Sequence, residues 1–337
     1  MQSYTMEKGV TFIGTLLVDN VKIVDCYPSQ GKLCNILELS HCVGGLAANT
    51  SISLKVLAPE LAVAVIGMVG SDNSGAYLID KIASYGIDTS GIKAHNTLPT
   101  SFTDVMTEKE TGRRTFFHAR GACAAFGYAD IPFANIKTGM AHVGYALLLD
   151  MLDAPDRLYG TGLACVLNTL RGHGIHTSID CVTEAGERYQ SVILPALPYV
   201  DTLFMNEIEA GNTAGFSLTE ADGRINDAHA HKACLALLQH GVKKLVVIHA
   251  PQGAWAMTKD GEFAFEPALQ LPEGYIKGTV GAGDAFCAGM LCALAGELPL
   301  REGLRIANLA AAANLSHYNS IDGMKPLEVL REWEKTL

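Results

Sequence analysis

The chain has 337 residues, 49% of them apolar and 18% charged, with a formal net charge of −10, the composition of a protein with one large buried core. The excess of acid argues against a nucleic-acid partner, because a phosphate backbone is gripped mainly by Lys and Arg. No apolar run approaches the roughly 20 residues needed to span a bilayer, so no membrane partner is expected. Residues 1–10 carry charges and no apolar stretch of signal-peptide length. The nine cysteines are scattered without a CxxC pair, which argues against a zinc knuckle and reads as free thiols in a cytoplasmic protein.

In chain order, residues 10–18 predict a first strand, and residues 21–42 alternate polar and apolar positions in short runs. A helix follows at 47–57, a strand at 61–66 and a helix at 75–85. A second alternating stretch at 97–119 contains Thr111-Gly112 between two runs, the chemistry of a hairpin turn. Strands at 140–144, 175–180, 202–205 and 244–249 then alternate with helices at 160–171, 227–240 and 285–295. Several of these strands are apolar on both faces, as in a parallel sheet covered by helices. The expected fold class is α/β: a doubly wound, mostly parallel sheet with helices on both faces, plus a small β-sheet lid from the two alternating stretches.

The strongest chemical signal is the turn Gly278-Thr279-Val280-Gly281-Ala282-Gly283-Asp284, which opens the helix at 285–295. Successive N–H groups of such a turn make an anion nest, reinforced by the helix dipole. A carboxylate beside that nest can take the proton of an attacking hydroxyl. The plainer alternative is that Asp284 caps the helix. Four more motifs fall where strand-to-helix loops meet, the place where open α/β sheets bind ligands. They are Gly14 to Asp19, Gly44-Gly45 to Asn49, Gly67 to Asp72, and Asn206 to Glu209. Asn206 and Glu209 also fit a helix N-cap with a capping-box acid.

In this order the motifs resemble the ribokinase-like (PfkB-type) carbohydrate kinases, collinearly over about residues 10–324. Both family signatures are present, Gly44-Gly45 to Asn49 and Thr279 to Asp284, and Gly112 to Phe116 is similar to the family's lid hairpin. The resemblance implies one kinase domain over residues 1–337 with lid segments at about 17–43 and 96–120. It implies Asp284 as catalytic base and the amides of Gly281, Ala282 and Gly283 as anion hole. Asp19, Gly44, Gly45 and Asn49 would hold the sugar. Asn206, Gly253, Thr279, Asn308, Gly281 and Gly283 would contact ATP, with Glu209 organising Mg²⁺ through water. The expected reaction moves the γ-phosphoryl of MgATP to a hydroxyl of a sugar or sugar acid.

Three departures stand out. Gly278 replaces an Asp that commonly belongs to a monovalent-cation site, which argues against potassium activation. His249 to Gly253 replaces the usual strand-end segment, keeping only Gly253. Arg120 places a guanidinium on the lid, where it could meet an acidic substrate or form a surface ion pair. A nucleoside kinase is the nearest rival, with Phe102, Phe116 or Phe117 as a shelf for the base; a catalytically silent sugar binder is the other. A dinucleotide-dependent dehydrogenase is disfavoured because no GxGxxG turn follows the first strand. Exposed lid strands make a homodimer through the lid an expectation as well.

Overall fold

The computed structural model describes residues 6–184, 186–220 and 223–337; Met1–Thr5, half of the segment read for a leader, lie outside them. Nine strands form the main sheet: β1 (Glu7–Gly14), β4 (Ala62–Gly70), β5 (Asp88–His95), β8 (Thr138–Ala146), β9 (His176–Cys181), β10 (Thr202–Asn206), β11 (Leu245–Ala250), β12 (Gly253–Thr258) and β13 (Phe263–Pro267). Their order is β13-β12-β11-β10-β9-β8-β1-β4-β5, parallel except where β12 and β13 turn back antiparallel at one edge.

Alternation along the strands feeds two cores. Val10, Phe12, Val63 and Val65 face the layer of α1 (Leu46–Leu57), α2 (Asn73–Ala83), α6 (Ala282–Ala295), α7 (Leu300–Asn314) and α8 (Leu327–Glu334). Ile13, Ile66 and Met68 face the opposite layer, which holds α3 (Gly162–Gly172), α4 (Glu207–Ala214) and α5 (Asp227–Gln239). Helices on both faces explain why so many strand residues are apolar on both sides. No helix among the described residues is long and apolar enough to cross a membrane.

Four further strands, β2 (Leu17–Val24), β3 (Ile36–Gly44), β6 (Ser101–Glu108) and β7 (Arg114–Ala119), form a separate sheet of order β3-β2-β6-β7. They coincide with the two alternating stretches, and Gly112 sits at φ 66° in the hairpin turn between β6 and β7. The lid is not wholly antiparallel: β2 and β6 run parallel. After β3 the chain passes through α1, β4, α2 and β5 before returning, so β6 re-enters alongside β2.

Two boundaries differ from the sequence reading. The run 10–18 is not one strand: β1 ends at Gly14 and β2 begins at Leu17 in the other sheet. Gly14 lies so close to β8 that a Cβ there would collide with the Gly144 carbonyl, and its φ of 147° turns the chain out of the main sheet. Gly67 to Gly70 belongs to β4 rather than to a loop. Asp72 then caps α2 through the Gly75 N–H at 2.9 Å and also accepts from the Thr100 N–H at 2.8 Å, anchoring the entry to β6.

Candidate active site

Helix α6 begins after Gly281, whose φ of 75° and contact with Ser320 exclude any side chain. Its first N–H groups have no carbonyl within the helix to bond, and that of Ala282 makes only a long 3.4 Å bond back to the Thr279 carbonyl, so the helix start still presents donors to an anion. Gly281, not Asp284, occupies the cap position, so the capping alternative for Asp284 does not hold. Asp284 stands in the first turn, only 4% exposed, and its carboxylate collects three donors. Tyr145 Oη donates to Oδ1 at 2.6 Å, Thr50 Oγ1 to Oδ1 at 3.2 Å, and Asn49 Nδ2 to Oδ2 at 3.0 Å. Burial pushes the Asp284 carboxyl above the ordinary carboxylate range, while these three hydrogen bonds pull it back down. Ser320 Oγ donates to Asn49 Oδ1 at 2.8 Å, which fixes which end of the Asn49 amide meets Asp284.

Asp284 forms part of the wall of a cavity of about 630 Å³ at the carboxyl ends of the central strands. The lid supplies the facing wall with Leu17, Asp19, Thr103, Phe116 and His118. Asp19 is buried, and burial together with the nearby Asp284 charge lifts its carboxyl to about 7, against the pull of the Thr103 hydroxyl. Gly44 is required beside it, because a Cβ there would stand 2.4 Å from Asp19 Oδ2. Gly45, with φ 84°, is the N-cap of α1, the helix that carries Asn49 and Thr50.

The far end of the cavity holds Asp180, Cys181, Asn206 and Glu209. Asn206 and Glu209 form a full capping box on α4: Asn206 Oδ1 accepts from the Ile208 and Glu209 N–H groups, and Glu209 Oε2 accepts from the Asn206 N–H at 2.9 Å. The cap and the cavity-lining position are thus the same residues. Oxygens of Asp180 and Glu209 lie within 4.8 Å of each other and of the Cys181 sulfur. Burial lifts Glu209 to about 7; burial, then the charges of Glu209 and Asp284, lift Asp180 well above its ordinary value. Two crowded carboxylates of this kind are hard oxygen donors that a divalent cation would neutralise, so the residues fit Mg²⁺. His249 lines the same end, and burial lowers its imidazole to about 4.

Six named residues stand outside the cavity wall: Gly44 and Ala282, whose chain neighbours Gly45, Gly281 and Gly283 line it, and Arg120, Asn308, Gly253 and Thr279. Arg120 bonds the Leu147 carbonyl at 3.1 Å and Asp150 at 2.7 Å, the ion-pair alternative rather than a contact with the cavity. Asn308 Nδ2 donates to the carbonyls of Glu266 and Pro267, and Gly253 pairs with Pro267 in the sheet, so these two meet at one corner of β12, β13 and α7. Thr279 lies under the lid, where Arg114 Nη1 approaches its Oγ1 at 3.4 Å.

Other side chains were given no individual site role from the sequence: Tyr145, Thr50 and Ser320 around Asp284, Thr103 and His118 on the lid, Asp180 on β9, and Arg114. Most meet the site across more than a hundred residues of chain, and no local pattern marks such pairing. Asp180 did carry a signal, an acid at the carboxyl end of a predicted strand. A second cavity of about 390 Å³ lies by the amino ends of β1, β4 and β8 and shares none of these residues.

A sequence profile of the pfkB family carbohydrate kinases matches residues 8–326. The chain belongs to that family. As a pfkB-family carbohydrate kinase it is a phosphotransferase with an alcohol group as acceptor. It is 23% identical over 304 residues to a 5-dehydro-2-deoxygluconokinase of Geobacillus thermodenitrificans, covering 86% of this chain and 83% of that one. It is also 23% identical to a nucleoside kinase of Methanocaldococcus jannaschii, over 86% of this chain and 83% of that protein. Among solved structures, an Arabidopsis thaliana ribokinase complexed with ribose and ATP superposes with a TM-score of 0.78 at 17% identity, covering 98% and 99% of the two chains. This pfkB-family kinase therefore carries the ribokinase-like fold over essentially its whole described length.

Proposed function

We infer that the protein transfers the γ-phosphoryl of MgATP to a hydroxyl of a sugar-like substrate bound between the lid and the carboxyl ends of β1 and β8. The observation that carries this reading is the position of Asp284, buried on the cavity wall within one turn of the Gly281–Gly283 amides. In the reaction the acceptor oxygen bonds to the γ-phosphorus, the bond from phosphorus to the bridging oxygen of ADP breaks, and Asp284 takes the hydroxyl proton. A loose transition state needs little base strength until late, so alignment and charge stabilisation carry most of the rate. The amides of Gly281, Ala282 and Gly283 hold the transferring oxygens. Asp180 and Glu209, with Asn206 oriented beside them, would hold Mg²⁺ directly or through water; when bound, the ion neutralises phosphate charge. Arg114 stands beside the Thr279 end of the turn and brings a positive charge there when the lid is down.

Asp19, the Gly44-Gly45 backbone and Asn49 would bind sugar hydroxyls, with Asn49 shared between substrate and Asp284. Gly253 and Asn308 would border the adenine, and Thr279 the phosphates. A nucleoside acceptor is the second reading, favoured by Phe116, whose half-exposed ring borders the cavity from the lid. Assaying ADP release with MgATP and a panel of sugars, sugar acids and nucleosides separates the readings. Turnover with a sugar supports the first, turnover confined to nucleosides supports the second, and no turnover with any acceptor contradicts both.

A further inference from the structure

We propose that the lid row Asp19–Thr103–His118 is the specificity element of the acceptor site and selects an uncharged polyhydroxy substrate over sugar acids and sugar phosphates. The proposal rests on the kinase reading above and adds the charge class of the acceptor.

Sheet register places these residues in one line. Asp19 on β2 stands directly opposite Thr103 on β6, and Thr103 directly opposite His118 on β7. Directly paired residues share a face of a sheet, and here that face is the cavity wall. Thr103 Oγ1 also lies 3.0 Å from His118 Nδ1, within hydrogen-bond distance. The row thus presents a carboxyl, a hydroxyl and an imidazole to the cavity, polar groups matched by a ligand that brings several hydroxyls.

The residues around the row give an acceptor's anionic group no partner. The cavity wall contains no Lys or Arg, and its ionisable oxygens are the carboxyls of Asp19, Asp180, Glu184, Glu209 and Asp284. Arg120 and Arg188 are already committed: Arg120 bonds Asp150 at 2.7 Å, and Arg188 bonds Glu184 at 2.6 Å with Asp153 at 3.6 Å. A carboxylate or phosphate on the acceptor would be desolvated there with no cationic side chain to compensate it.

The test uses the full chain with neutral pentoses and hexoses, the aldonic acid matched to each, and the matching sugar phosphates. Calorimetric binding without nucleotide and ADP release with MgATP are both measured. We expect a neutral sugar to bind and turn over ~100-fold better than its matched acid or phosphate. His118→Arg should narrow that preference at least ~10-fold, and His118→Gln, which keeps an uncharged polar group, should raise KM while leaving the preference intact. A wild-type preference for the acid or phosphate, or binding of no neutral sugar, overturns the proposal, as does an unchanged preference in a folded His118→Arg. Selective binding of a neutral sugar without any ADP release would instead defeat the kinase reading and leave the charge selection standing. Should His118→Arg fail to fold, the wild-type ranking alone decides.

Discussion

Tyr145 donates the shortest of the three hydrogen bonds to Asp284, and its phenol competes for the oxygen that must receive the substrate proton. Because that bond lowers the Asp284 pKa, Tyr145→Phe should raise it. The acid limb of kcat/KM reports the free enzyme's essential base. It should therefore move to higher pH in Tyr145→Phe; a limb that stays in place or moves down would count against Asp284 as the titrating group. Asp19 carries the opposite kind of burden. Its carboxyl is lifted from the ordinary 3.8 to about 7 in the folded protein, so the folded state binds the extra proton and this group's contribution to stability falls as pH rises from about 4 to about 7. Asp19→Asn removes that loss. The variant should gain stability relative to wild type between pH 4 and pH 7 and hold the gain above, by up to about 4 kcal/mol at roughly 1.4 kcal/mol per pKa unit. Denaturant melts across pH check this, and a pH-independent difference would contradict it.

At the scale of elements, the lid and the turn before α6 act on each other. A Cβ at Gly278 would lie 2.8 Å from Arg114 Nη2 and 2.8 Å from the His317 carbonyl, so a lid guanidinium occupies the surroundings of the position where the family commonly has an acid. A fixed positive charge there does not suit a monovalent-cation site. Turnover should therefore be the same in potassium and in tetramethylammonium chloride at equal ionic strength, and activation by potassium beyond about twofold, a few tenths of a kcal/mol, would refute this. How far the elements were legible follows from the range of the forces that set them. Strands, helices and both lid segments follow from short-range periodicity and turn chemistry, so the βα rhythm and the Thr111-Gly112 hairpin stand in the structure as read. The break at Gly14 was hidden because it is imposed by the Gly144 backbone of a strand far along the chain. The parallel β2–β6 pair is likewise a consequence of topology. Within the site, Asp284 and its glycines were readable because the motif is local. Arg120 was left open between an acidic substrate and a surface ion pair because its partner Asp150 lies thirty residues away in sequence, where spacing carries no signal.

At the scale of the whole molecule, the lid sheet leaves β3 as an unpaired edge with Ile36, Leu37 and Leu39 exposed. An apolar edge of that kind invites pairing with a second copy. Light scattering should give twice the chain mass, reduced to one chain by Leu37→Lys with Leu39→Lys; a monomeric wild type would contradict dimerisation through the lid. The lid must also close over the substrate if water is to be kept from the phosphoryl. The central claim, however, is that the buried carboxylate beside the Gly281–Gly283 turn drives phosphoryl transfer to a bound hydroxyl. The most direct test measures ADP release by wild type and Asp284→Asn under saturating MgATP with the best acceptor, alongside acceptor binding by calorimetry. The account predicts turnover reduced at least ~10²-fold to 10⁴-fold with acceptor affinity nearly unchanged. Wild-type turnover in Asp284→Asn would contradict it.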